Sequence, residues 1–227
     1  MAWEHDTTPF VTSLTTKPIK PKIALCLPYT GTFYSEFAEK VWGPLRWIPL
    51  DWCDKLPIMC KVPSLPLARN ILAQQALDAG ATHLLWVDSD VVCESPIDPN
   101  EALKRLYMCD FPIVGCVYKA KQKVGFNYAA WAKAEGGYVP IQSWTGNYFS
   151  VDVTGLHFIL IRREVFEKTS KPWFHWEESD AVSEDFYFFE KCRKEADYGV
   201  KIFSEVRLSH IGNLKVLSDG KVTTTDV

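Results

Sequence analysis

Short apolar runs alternate with segments of helical periodicity over the first half of the chain. Ile23–Leu27 is an apolar run of the buried-strand type. Pro66–Ala79 is predicted to be a helix because apolar residues such as Leu67 recur on one side and Gly80 follows as a C-cap. A second apolar run, His83–Val92, comes within a few residues. Strands that alternate with helices predict an α/β fold, with a mixed, mostly parallel central sheet flanked by helices.

The same patterns predict the remaining elements, with Asp98 as the N-cap of one helix. Lys119–Ser150 has no clear period and is expected to form irregular hairpins or a flap. Residues 1–21 are expected to be a loose arm that precedes one domain at 22–227. The other predicted helices are Thr32–Val41, Pro99–Met108, Arg163–Lys168 and Ser183–Ala196, and the other predicted strands are Trp47–Trp52, Phe111–Tyr118, Val151–Gly155, Phe158–Ile161, Lys201–Phe203 and Val206–Leu208.

Composition excludes several classes of protein. A net charge of −3 argues against a large contact surface for nucleic-acid phosphates. The seven cysteines are an odd number with no C-x-x-C spacing, which favours a reducing, cytoplasmic location over a disulfide framework or a zinc finger. No signal peptide is recognisable and no apolar stretch approaches the ~18 residues of a membrane span, so stable membrane insertion is not expected.

Asp88 and Asp90 end the apolar run His83–Val92 and are separated by one residue. On a strand, residues two apart point to the same side. Two carboxylates close together in a poorly solvated place are costly without a counter-charge. The sequence therefore predicts a divalent cation at this position, and oxygen ligands suit Mg²⁺ or Mn²⁺.

Two further polar groups are candidates for the same site. Glu184 and Asp185 follow Ser183 at the start of a predicted helix, where acidic residues suit the helix dipole even without a function. One of them is alternatively a general base. His210 follows the last predicted strand, and a neutral imidazole there is able to complete a Mn²⁺ shell if the fold brings it to Asp90.

Taken together and in this order, the motifs resemble those of nucleotide-sugar-dependent glycosyltransferases of the GT-A fold, of the D-x-D type. The resemblance covers the chain from Lys22 to about Gly212. The segments that carry it are Leu27-Pro28-Tyr29-Thr30, Leu67-Ala68-Arg69-Asn70, Asp88-Ser89-Asp90, Val151–Phe158, Ile161–Phe166, Ser183-Glu184-Asp185 and His210.

The resemblance implies a role for each matching residue on the donor side. Asp90 and His210 are expected to bind the metal. Asp88 is expected to contact the ribose or the donor sugar, or to reach the metal through water. Tyr29 and Thr30 are expected to contact the base of a UDP- or GDP-sugar, and Arg69 its diphosphate or sugar.

On the acceptor side, the resemblance implies that Asp185 is the general base of an inverting transfer and that Glu184 binds the acceptor or orients the loop. A retaining enzyme of the same fold, a nucleotidyltransferase and a silent nucleotide-sugar-binding module remain alternatives. The acceptor hydroxyl belongs to a glycan, a lipid-linked sugar, a protein or a modified nucleobase. Within Lys119–Ser150, the side chains considered for donor or sugar contacts are Lys119, Lys121, Lys123, Trp131 and Trp144.

Overall fold

A ten-stranded mixed sheet forms the centre of the computed structural model, which describes residues 20–94, 96–119, 128–176, 183–211, 214–216 and 222–224. The strands are β1 (Lys22–Tyr29), β2 (Asp54–Lys61), β3 (His83–Val87), β4 (Val91–Cys93), β5 (Ile113–Tyr118), β6 (Ala130–Ala134), β7 (Gly137–Pro140), β8 (Tyr148–Val151), β9 (Val153–Thr154), β10 (Phe158–Arg162), β11 (Val200–His210), β12 (Leu214–Val216) and β13 (Val222–Thr224).

Eight strands of the large sheet lie in the order β13-β12-β11-β5-β10-β3-β1-β2, and β4 and β8 also pair with β11. Strands β7, β6 and β9 form a smaller antiparallel sheet.

Among the described strands, the parallel pairs are β1 with β2, β1 with β3, and β5 with β11. Strand β10 runs antiparallel between β3 and β5. The predicted mixed sheet is confirmed, with less parallel pairing than expected.

Helices cover both faces of the sheet, as predicted. Alternate residues of β1 and β3 belong to two separate cores, because successive side chains of a strand point to opposite faces. One core packs against α3, α5 and α6, and the other against α1, α2 and α4. The helices are α1 (Ser35–Phe37), α2 (Gly43–Trp47), α3 (Leu65–Asp78), α4 (Pro99–Met108), α5 (Arg163–Lys168) and α6 (Glu184–Ala196), and a π-helical turn (Ala38–Trp42) joins α1 to α2.

The strand predicted at Trp47–Trp52 is wrong. Trp47 ends α2, and the strand of this region is β2, which contains Pro57. Strand β2 lies at the end of the sheet order, where a proline without an N–H is tolerated. Proline and the partly exposed side chains of β2 conceal it in the hydrophobicity pattern.

The predicted continuous strand His83–Val92 is interrupted at the acidic pair. Strand β3 ends at Val87, and β4 begins at Val91. Residues 88–90 connect them through a turn at 89–90, and this connection is called the acidic turn. Strand β4 then pairs with β11 and not with a neighbour of β3. Asp88 and Asp90 therefore lie on a connection between two parts of the sheet, and their contacts differ.

The described helices include none that is both long and apolar enough to cross a membrane. All seven cysteines are free thiols. The predicted arm lies outside the described residues except for Lys20 and Pro21.

Candidate metal centre and adjoining cleft

Backbone hydrogen bonds bring three distant parts of the chain together beyond the end of β3. The Asp88 N–H donates to the carbonyl of His157 at 3.0 Å. The Ile211 N–H donates to the carbonyl of Asp90 at 2.7 Å. The acidic turn therefore lies between the connection that precedes β10 and the end of β11.

Asp90, His157 and His210 form a group able to hold a metal ion. One potential ligand atom from each residue lies within 4.8 Å of the others. A carboxylate with two imidazoles is a ligand set for a divalent transition metal. The predicted pairing of Asp90 with His210 is supported by this geometry, and His157 is an addition to it.

The ring of His210 is held in a defined orientation. Its Nδ1 lies 2.7 Å from the backbone carbonyl of Lys119, which is only able to accept a hydrogen bond. Nδ1 is therefore protonated, and the neutral ring presents the lone pair of Nε2. Such a contact behind a histidine fixes the tautomer that a metal requires.

Asp88 is engaged by a buried arginine. The Nη2 of Arg69 lies 3.1 and 3.3 Å from the two carboxylate oxygens of Asp88, and its Nε lies 3.1 Å from Oε1 of Glu184. Burial raises the pKa of Asp88 to about 6, although Arg69 opposes this shift. Asp88 also lies 3.4 Å from Nδ1 of His157, on the side of that ring that corresponds to the side of His210 facing the Lys119 carbonyl.

The direct donor contact expected of Arg69 does not agree with its position. Its side chain is only 2% exposed and joins Asp88 to Glu184 inside the protein. The resemblance assigns it to the donor, whereas its contacts make it the counter-charge of two carboxylates.

Asp185 lies at the first turn of α6, next to Glu184, which is buried. Its Oδ1 accepts hydrogen bonds from the Ser183 hydroxyl and, at 2.9 Å, from the Phe186 N–H. Burial raises the pKa of Asp185 to about 6, and the neighbouring Glu184 charge acts in the same direction. A carboxylate with this pKa is deprotonated near neutral pH and still basic enough to accept a proton.

A cleft of about 230 Å³ connects the end of β1 to the acidic turn. It brings together four of the residues predicted to bind the donor or the metal: Tyr29, Thr30, Asp88 and Asp90. The rest of its lining is Pro28, Val62, Leu65, Ala68 and Ser89. The cleft and the metal group share Asp90.

Sequence reasoning missed His157. Its signal was its place in Gly155-Leu156-His157, directly before a buried strand. A single histidine beside a strand is a weak signal unless the pairing of that strand is known. Because Phe158 pairs with Val87, His157 is carried to the end of β3.

Two tryptophans that were candidates for sugar contacts serve as packing residues. The Trp131 ring lies 5.1 Å from that of Phe186, and Trp144 stacks on Phe149 at 4.6 Å. Part of the predicted flap is regular, since it contains β6, β7 and the start of β8. Lys121 and Lys123 lie outside the described residues.

Comparison with known proteins identifies a fold but no family. No family model and no curated protein matches the chain. Among solved structures, the crystal structure of A197 from STIV is similar, with a TM-score of 0.65 and 19% sequence identity over 91% of this chain and 95% of A197. At this identity the likeness extends to the mixed α/β architecture alone.

Proposed function

We propose that this protein is a metal-dependent glycosyltransferase of the GT-A fold. It transfers a sugar from a nucleoside-diphosphate sugar to an acceptor hydroxyl, with inversion at the anomeric carbon. The observation that carries the proposal is the shared position of Asp90, which belongs both to the metal group and to the cleft that Tyr29 and Thr30 line.

The charges of the site favour a cation and, through it, a diphosphate. The charges of Asp90 and Glu184 act on Asp88, and that of Glu184 acts on Asp185. The buried cation Arg69 opposes the charges of Asp88, Glu184 and Asp185. A bound Mn²⁺ or Mg²⁺ supplies positive charge that stabilises the departing diphosphate. Asp90, His157 and His210 would hold it.

The cleft is suited to the nucleotide part of the donor. Tyr29 offers a partly exposed ring at the end of β1, and the exposed Thr30 offers a hydroxyl. In the proposed complex these residues contact the base and ribose.

Asp185 acts on the acceptor. Its carboxylate takes the proton of the acceptor hydroxyl as the oxygen attacks the anomeric carbon, and the bond to the diphosphate oxygen breaks with its electron pair leaving on that oxygen. Glu184 shares the buried Arg69 with Asp88 and thereby maintains the start of α6 beside the metal group.

The test is a screen of UDP-, GDP- and other activated sugars for Mn²⁺-dependent release of the nucleoside diphosphate. Asp90→Ala is expected to lose metal-dependent nucleotide binding. Asp185→Ala is expected to bind normally and to lose transfer. Asp51→Ala, at an exposed bend, is the matched control and should behave as the wild type.

Four outcomes contradict the proposal or part of it. Hydrolysis of no donor, without metal-dependent nucleotide binding, overturns it and leaves a protein of another function. Equal loss of nucleotide binding in Asp90→Ala and Asp185→Ala overturns the division of roles. If proton NMR shows that the product has the anomeric configuration of the donor, the transfer proceeds with retention and not with inversion. If the protein releases pyrophosphate from a nucleoside triphosphate and a sugar phosphate, it is a nucleotidyltransferase.

A further inference from the structure

Three aromatic rings pack together at the metal group. The ring of Tyr118 stacks on that of His157 with a centroid distance of 4.2 Å and an interplanar angle of 24°. It also meets the ring of His210 edge-on, at 5.3 Å and 90°. Tyr118 is therefore in contact with both candidate imidazole ligands.

Tyr118 is itself firmly held. It is the last residue of β5, is only 4% exposed, and pairs in register with Leu208 of β11. Its hydroxyl packs closely against the Gly155 backbone. A buried residue that is paired in the sheet and packed at its hydroxyl is a rigid support for the rings that touch it.

Gly155 provides the space that this packing requires. A Cβ at position 155 would lie 1.8 Å from the Tyr118 hydroxyl oxygen and 2.9 Å from Nδ1 of His157. Atoms cannot approach so closely, so any side chain at 155 has to displace the tyrosine, the histidine or both. The glycine is needed here for space.

The geometry points to Tyr118 as a positioning residue that sets both imidazoles for the cation, with Gly155 as the position that permits it. The Lys119 carbonyl, 2.7 Å from Nδ1 of His210, defines which nitrogen of that ring faces the cation, and Asp88 lies 3.4 Å from Nδ1 of His157. Tyr118 restricts the tilt of the two ring planes. The inference rests on the metal centre of the proposed function and is independent of the reaction.

Mn²⁺ affinity, measured by electron paramagnetic resonance without nucleotide, tests this inference. Tyr118→Phe keeps the ring and is expected to bind Mn²⁺ within about three-fold of the wild type. Tyr118→Leu removes the ring and is expected to weaken binding at least about ten-fold, the range found when groups that orient metal ligands are lost. Circular dichroism verifies that both variants are folded.

A double variant separates positioning from general damage. Gly155→Ala is expected to weaken Mn²⁺ binding at least about ten-fold, and adding Tyr118→Phe should recover part of the loss because the closest obstructing atom is gone. Wild-type affinity in Tyr118→Leu or Gly155→Ala overturns the inference. So does a double variant that binds no better than Gly155→Ala alone.

Measuring both Mn²⁺ binding and sugar turnover distinguishes this inference from the proposed function. Mn²⁺ binding with the expected variant pattern, but without turnover of any activated sugar, retains the positioning role and removes the glycosyltransferase. A wild type that binds no Mn²⁺ overturns the inference together with the metal-dependent reaction.

Discussion

Arg69 is the residue on which the buried carboxylates of the site depend. Replacing it by Met leaves Asp88 and Glu184 inside the protein without their counter-charge. We expect the free energy of unfolding at pH 7 to fall by about 3–5 kcal/mol, the usual cost of breaking a buried ion pair from one side. Urea denaturation measures the change.

The control for Arg69 is Arg105, which forms a 2.8 Å pair with Glu101 but is 36% exposed. Arg105→Met should cost much less than Arg69→Met, because solvent screens an exposed pair. The Arg69→Met deficit should also shrink at pH 5, below the pKa of about 6 to which burial raises Asp88, because that carboxyl is then protonated and neutral. Equal deficits in the two variants, or no change between pH 7 and 5, would refute the assignment of Arg69 as counter-charge.

The raised pKa of Asp185 predicts the acid limb of the reaction. A base has to be deprotonated, so the rate is full above the pKa of about 6 and falls as the pH drops through it. At pH 5 we expect kcat/KM to be about ten-fold below its plateau, because the deprotonated fraction is then about one tenth. The dependence of kcat/KM on pH, measured at a saturating concentration of Mn²⁺, tests this expectation.

The stability of the protein changes with pH in the opposite direction at this residue. Because the folded-state pKa lies above the ordinary value of 3.8, the proton binds the folded state more tightly, and this contribution to stability is lost as the pH rises to about 6. Lower activity at pH 5 is therefore not explained by unfolding through Asp185. A profile that is flat to pH 5 would exclude Asp185 as the base.

Among the elements around the site, α3 contributes Arg69 and also hydrogen bonds the segment that precedes α6 in sequence. The Asn70 amide donates to the Phe174 carbonyl at 2.6 Å, and its oxygen accepts from the N–H groups of Trp173 and Phe174 at 3.0 and 3.2 Å. Asn70→Ala removes these contacts and is expected to cost about 2–4 kcal/mol, at about 1 kcal/mol for each hydrogen bond. Thermal or urea unfolding measures the loss.

Gln74, one turn further along α3, is the control for Asn70. Its side chain bonds the exposed Asp78 and Lys171, so Gln74→Ala should cost less than about 1 kcal/mol. If Asn70→Ala is equally mild, α3 does not fasten this segment.

Hydrophobic periodicity predicts the position of helix α3 but not which of its side chains are buried. Its existence and position are predicted from the pattern, yet Leu67 is 51% exposed whereas Arg69 is buried. The pattern weighs each residue by its own polarity and contains no information on a carboxylate 115 positions away that compensates a guanidinium. Buried ion pairs are for this reason inaccessible to a reading of local sequence.

The residues of the candidate site also divide into those that local sequence predicts and one that depends on a distant contact. Asp88, Asp90 and His210 are predicted from polar residues at the ends of apolar runs, and Glu184 and Asp185 from their place at the start of a predicted helix. His157 is not found, because its place depends on the antiparallel pairing of β10 with β3. Strand order is a property of the whole sheet, and local alternation of polar and apolar residues does not determine it.

At the scale of the whole molecule, a cation is expected to stabilise the fold. A ligand that binds only the folded state adds about 2.7 kcal/mol at a concentration 100 times its Kd. For a chain of this length we expect Mn²⁺ at that level to raise Tm by about 5–10 °C. Mg²⁺ should be less effective at equal concentration, since two of the three ligands are imidazoles.

Calorimetric scans with and without each metal test this expectation. His210→Ala should lose the effect, and His175→Ala, with an exposed ring, should retain it. The stabilisation should be larger at pH 7.5 than at pH 5.5, because the imidazoles have to be neutral and the carboxylate charged. Stabilisation by Mg²⁺ equal to that by Mn²⁺ would contradict the predicted ligand set.

The order in which the metal group is synthesised has a consequence for the growing chain. Asp90 leaves the ribosome first, His157 follows 67 residues later, and His210 is the last of the three. A nascent chain shorter than 210 residues contains the acidic turn without its complete ligand set. On the proposed function, the complete ligand set for the cation therefore exists only after β11, the strand that ends in His210, has been synthesised.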